Sequence, residues 1–144
     1  MEKRRLPSII TKTLNLLTWM IPVLERMPKT TPFMAMANRV VECTLDGLTC
    51  GLKALHEQNL EYRKQLIEAF IDNIYIVQSV WTVTYSYSSY RNEQGQAVHA
   101  KIISARQNAS FVTMAGEIAR MADNWLASTV RLIQQSAHQA EGAQ

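Results

Sequence analysis

Four long runs in which apolar residues recur every three or four positions predict an all-α protein, an antiparallel up-down four-helix bundle. Short breaks near 27–32, 57–59 and 88–97 separate the runs, and short connections lay consecutive helices side by side. A chain of 144 residues, 47% apolar and 19% charged, can bury one core without disulfides or metals. It reads as a single domain over 1–137 with a fraying tail at 138–144.

The first helix is expected over about 7–27, with Ile10, Leu14, Leu17, Ile21 and Leu24 on one face. Pro7 suits its first turn, and Pro22 removes a backbone hydrogen bond within it. Pro28 and Pro32 bracket the following break. The second helix spans about 33–56, seamed by Val41, Leu45, Leu48, Leu52 and Leu55. Gly47 and Gly51 lie one turn apart inside it, each costing roughly 1 kcal/mol against Ala, a cost that close approach of a neighbouring helix offsets.

The third helix should start near Asn59 and turn Leu66, Phe70, Asn73, Val77, Val80 and Trp81 inward. Its end, residues 81–87, alternates β-branched and aromatic residues with period two. With no partner strand elsewhere it is kept helical to about Tyr87. Residues 88–97, with Asn92-Glu93-Gln94-Gly95, form the clearest turn signal. The fourth helix is expected from about Val98 to Gln135. Its segment 106–128 carries a stripe of Ala109, Val112, Ala115, Ile118, Ala119, Ala122, Trp125 and Leu126, continued by Thr129. Glu117 and Arg120 stand three apart beside that stripe and are placed to pair.

Chemistry-bearing motifs are scarce. His56, His99 and His138 are scattered and none follows a Glu by three residues, so the ligand sets of di-iron bundles are absent. Phosphate-cradling and nucleophile-elbow motifs are missing as well. Cys43 and Cys50 stand about 10 Å apart along a helix, too far for a disulfide, and read as small buried apolar groups. The pairs Glu57/Glu61 and Glu68/Asp72 read as solvated helix faces. These observations point away from an enzyme and imply no metal, cofactor or small-molecule substrate.

No apolar run is long enough to span a membrane. The basic start reads as the cytoplasmic beginning of a mature protein, because polar Thr11, Lys12, Thr13 and Asn15 break its apolar run. The formal charge is +3, concentrated at Lys3, Arg4, Arg5 and Lys12, whereas 65–90 holds Glu68 and Asp72 with no cation. The basic start is either a solvated tail or an electrostatic handle for nucleic acid. The aromatics Tyr75, Trp81, Tyr85, Tyr87 and Tyr90 lack interleaved cations before Arg91, which favours core or subunit interface over base stacking.

Four ordered features give the chain a specific resemblance. They are Trp19-Met20-Ile21-Pro22-Val23; Met27-Pro28-Lys29 with Arg39 ten residues after the Lys; Leu66, Ala69 and Phe70; and Glu117-Ile118-Ala119-Arg120-Met121 followed by Trp125. Over about 14–130 the chain resembles a family of small four-helix-bundle proteins. That family includes the accessory variability determinants (Avd) of diversity-generating retroelements. Its other branch is encoded in intervening sequences of bacterial large-subunit ribosomal RNA genes. The family pattern Glu-Ile-Gly-Arg-Met-Leu-Gly-Gly-Trp is matched with Ala119, Asp123 and Asn124 at its glycines, and Ser79 stands where members often carry Arg.

The resemblance implies a ring-like homopentamer that binds RNA, with DNA as a second candidate, and associates with a reverse transcriptase in error-prone cDNA synthesis. Its binding residues would be Lys3, Arg4, Arg5 and Lys12, then Arg26, Lys29 and Arg39 around the first break. Lys53, Arg63 and Lys64 would follow around the second, and Arg120 last. The alternative expectation is a structural oligomer or protein-interaction module of the intervening-sequence branch, with no nucleic-acid role.

Overall fold

The computed structural model describes residues 7–87, 89–99 and 102–142. Four helices, α1 (Ser8–Glu25), α2 (Thr31–His56), α3 (Leu60–Ser86) and α4 (Ala105–Gly142), pack as an all-α bundle around a main core, with a smaller buried cluster of Ala54, Leu66 and Ile67. Between α3 and α4 lies a short antiparallel ladder, β1 (Ser89–Arg91) with β2 (Ala97–His99).

Helix boundaries follow local chemistry. The Pro7 carbonyl accepts from Ile10 N and Thr11 N at 3.0 and 3.1 Å, opening α1 at a residue that has no N–H of its own to satisfy. Asn59 caps α3, its Oδ1 accepting from Tyr62 N at 3.0 Å. α4 opens with a reciprocal capping box. Ser104 Oγ accepts from Gln107 N at 3.0 Å while Gln107 Oε1 accepts from Ser104 N at 2.9 Å.

That box corrects the expected start of α4 at Val98. Val98 instead pairs with Tyr90 in the ladder, and Ile103 is fully buried in the core. The strand preference read at 81–87 is expressed just downstream, where a partner exists. Between the strands, Asn92 Oδ1 accepts from Gln94 N and Gln96 N at 3.0 and 2.9 Å, and Gly95 takes a positive φ of 77°. At its other end α4 runs to Gly142, so residues 138–142 continue the helix where a fraying tail was expected.

α2 and α3 meet through small residues. A Cβ on Gly47 would lie 3.4 Å from Asn73 Cβ, and one on Gly51 would lie 3.0 Å from Ile10 Cδ1 and 3.3 Å from Phe70 Cδ2. The close approach expected of these glycines is present, with α1 joining it through Ile10. It also rotates α2. Val40, Cys43, Thr44, Gly47, Leu48, Gly51 and Ala54 are buried, while Leu45 and Leu52 of the expected seam are exposed. In α1, Ile9, Ile10, Thr13, Leu16, Met20, Val23 and Leu24 are buried, and Leu14 and Ile21 turn outward. The α4 stripe is likewise trimmed: Ala115, Ile118, Ala122 and Thr129 are buried, but Ala109 and Val112 are exposed.

Trp81 anchors the middle of the core. It stacks on Phe111 with ring centroids 4.2 Å apart, and Trp19 leans against it at 5.7 Å. Its Nε1 donates to Asn108 Oδ1 at 3.2 Å, so the polar edge of the buried indole is satisfied. Three more rings of the expected aromatic cluster disperse, and the side chain of Tyr90 lies outside the described residues. Tyr75 is exposed, Tyr85 is half-buried, and Tyr87 sits edge-on to Phe33 at 5.5 Å.

The glycine contacts generate a paired test. Gly51→Val pushes carbon into Ile10 and Phe70 and should lower stability by about 1–3 kcal/mol. Gly116→Ala, where an added Cβ meets nothing within 4 Å, should raise it by roughly 0.5–1 kcal/mol. Chemical denaturation measures both, and effects of the same sign would contradict the close approach at Gly51.

Candidate nucleic-acid interface

The expected binding residues do not converge on one patch. Arg26 and Lys29 sit at the junction of α1 and α2, Arg39 follows in the early turns of α2, and Lys53 lies in its last turn. Arg63 and Lys64 open α3 beside Lys53's end. Arg39 and Lys53 share the outer face of α2 but stand about 21 Å apart along its axis. Glu42 and Asp46 are exposed on that same face between them, interrupting any continuous positive track. Lys3, Arg4 and Arg5 lie outside the described residues.

Several of these cations are held by the bundle's own groups. Lys12 Nζ lies 2.7 Å from Glu117 Oε1, tying α1 to α4. This corrects the expected pairing of Glu117 with Arg120. Because α1 lies against α4, the Lys12 stem reaches the carboxylate directly, and exposed Arg120 contributes only at longer range. Arg63 donates from Nε and Nη2 to the Glu57 carbonyl at 2.9 and 2.7 Å, bracing the turn between α2 and α3. Lys29 Nζ donates to the Glu25 carbonyl at 3.3 Å, a cation at the negative end of α1. Lys64 stands 4.0 Å from Glu68. Arg26, Arg39 and Lys53 are exposed and make no ion pair among the described residues.

What the structure does bring together is apolar. Leu14 and Ile21 of α1, and Met34, Leu45 and Leu52 of α2, are each 39–47% exposed. At 100° per residue, Met34, Val41, Leu45 and Leu52 lie within a narrow arc of α2, and Leu14 and Ile21 do so on α1. Ile21, Met34, Ala37 and Val41 line one groove between the two helices, with Glu25 and Lys29 at its edge. The sequence signal for this face is the leucine seam of α2, whose period is equally that of a core stripe.

A second surface has no counterpart in the sequence pattern. Arg106, in the first turn of α4, lies beside half-buried Trp19 with Ala109, Ser110, Thr113 and Met114. Trp19 and Arg106 are distant in the chain, and no local pattern links them.

Among the described residues, no three of His, Cys, Asp and Glu converge to hold a metal ion. Cys43 is buried and Cys50 half-buried, both as free thiols. No helix among the described residues is long and apolar enough to cross a membrane. Comparison of the chain with family models, with curated proteins and with solved structures finds no match.

The Lys12 tie has a pH signature. Its hydrogen bond to Glu117, and then its charge, hold the carboxyl below the usual carboxylate range. A folded value below the unfolded one adds stability above the ordinary range, and that stability is lost as pH falls through the folded value. Glu117→Gln should therefore be less stable than the parent near neutral pH, with the gap closing in acid and in high salt. Thermal melts across pH read this out, and a gap that persists at about pH 2 would contradict the pairing.

Proposed function

We propose that the protein is a non-enzymatic accessory scaffold that binds nucleic acid and a reverse transcriptase, supporting error-prone cDNA synthesis in a diversity-generating retroelement. In this reading the helices form an antiparallel up-down bundle and the bundles assemble into a ring-like homopentamer. The helix order is supported by contacts that pair the start of α2 with the end of α3, as Phe33 with Tyr87, and later α2 with earlier α3, as Gly47 with Asn73. The family resemblance carried by Trp19 to Val23, Met27 to Lys29 and Glu117 to Trp125 supports the functional part.

The observation that carries the reading is the exposed apolar face of α1 and α2, together with exposed Arg26, Arg39 and Lys53 that make no ion pair among the described residues. Contiguous apolar surface of this kind marks an association site. Five copies at +3 each would carry a formal +15, turning a weak field into one that attracts a polyanion. Phosphate contacts would release counterions, so binding weakens steeply with salt.

A second reading is the structural oligomer of the intervening-sequence branch with no nucleic-acid role. It is favoured by the engagement of Lys12, Lys29 and Arg63 with the bundle's own acceptors.

Titration of a labelled structured RNA at several salt concentrations, with native mass measured alongside, separates the two. The scaffold reading expects an oligomer whose log affinity falls linearly with log salt. Charge reversal at Arg4/Arg5 or at Lys29/Arg39 should flatten that slope by about 0.7–0.9 for each phosphate no longer neutralised, leaving helix content unchanged. Leu45→Asp with Leu52→Asp should reduce the native mass to that of one chain. An oligomer that binds no RNA at low salt would leave the structural reading.

A further inference from the structure

We propose that Trp19 and Arg106 form a stacking site for an unpaired base of single-stranded RNA, an inference that rests on the nucleic-acid-binding reading above. Trp81 is 1% exposed and stacked on Phe111 with an angle of 12° between the rings. Trp19 leans on Trp81 with ring centroids 5.7 Å apart and 39° between the planes, and it is only half-buried, so part of it faces solvent. A ladder of three rings thus runs from the core to the surface. Its outermost member loses little freedom when a ligand stacks on it.

The surroundings suit a nucleotide. Trp19 borders a shallow depression whose remaining lining, Arg106, Ala109, Ser110, Thr113 and Met114, contains one cation and no carboxylate. Arg106 is exposed and makes no ion pair among the described residues, so its guanidinium is available to a phosphate or to the face of a base. Small Ala109 and Ser110 leave room beside the indole for a flat ring. A depression lined by Phe33, Tyr87 and Arg91 likewise holds a cation and no carboxylate, whereas two others with apolar or aromatic walls and a cation carry Glu25 between α1 and α2 and Glu57 beside Tyr62. Those two surfaces would repel a phosphate at its point of entry. Stacking on an aromatic tolerates any base, whereas a paired base in a duplex keeps its faces covered. The site therefore selects strand state rather than sequence.

The test uses the full chain, an oligouridylate, an abasic strand of equal length and a duplex RNA. Trp19→Ala should weaken oligouridylate binding roughly five- to hundred-fold while leaving the abasic strand and the duplex unchanged. Trp19→Phe keeps a stacking ring and should stay within about threefold of the parent. Arg106→Gln should lower the single-strand salt slope by about 0.7. Circular dichroism accompanies each variant, and Trp19→Phe with Arg106→Gln carries the test if Trp19→Ala loses helix. Equal affinity of the parent for oligouridylate and the abasic strand, or equal losses on all three ligands, would overturn the stacking site while leaving the scaffold reading intact. No binding to any of the three would overturn both.

Discussion

The close approach of α2 and α3 at Gly47 and Gly51 is the constraint from which the other packing follows. With no side chain at these two positions, Phe70 and Asn73 sit against the α2 backbone, and Ile10 of α1 fits into the same notch. A helix that presents Gly, Cys, Thr and Ala inward can come closer to its neighbours than one presenting leucines, because interaxial distance follows side-chain size. The cost of two glycines inside a helix is offset by the packing of Phe70 and Ile10 against them. Once the small residues face in, the large ones at Leu45 and Leu52 are carried to the flank by the helical period.

That rotation decides which apolar surface the two helices present. The displaced leucines continue the exposed arc of Met34 along α2, and Met34 and Val41 line a groove with Ile21 of α1. The same sequence stripe that would build a core in an isolated bundle is thereby presented outward, where a second surface can cover it. The cations divide in a related way. Lys12, Lys29 and Arg63 serve a helix tie, a helix end and a turn, each an acceptor that the fold would otherwise leave to water. Arg26, Arg39 and Lys53 remain at separated points, with exposed Glu42 and Asp46 between the last two.

Trp81 plays a different part from the glycines. Its stack on Phe111 and its hydrogen bond to Asn108 join α3 to α4, and the lean of Trp19 brings in α1. Aromatic contacts of this kind reach from one helix to the next without requiring close backbones. The bundle therefore has one contact built on small residues and another filled by rings. Trp19 lies at the outer end of the ring contact, half-buried.

Four helices, their breaks and the purpose of the glycines were legible in the amino-acid sequence, because period, proline placement and propensity are local properties. The Ser104 to Gln107 capping box is a local pattern as well, but the ladder that claims Val98 needs a partner strand that local pattern does not supply. Which stripe of α1 and α2 faces inward was decided only in three dimensions. Each helix carries two apolar arcs, and the choice depends on how near a neighbour can come, a property of both helices at once. The partner of Glu117 was settled the same way, since Arg120 is its neighbour in sequence but Lys12 is its neighbour in space. The adjacency of Trp19 and Arg106 belongs wholly to the tertiary structure: it exists because α1 and α4 pack together, and nothing in either segment alone encodes the distance between them.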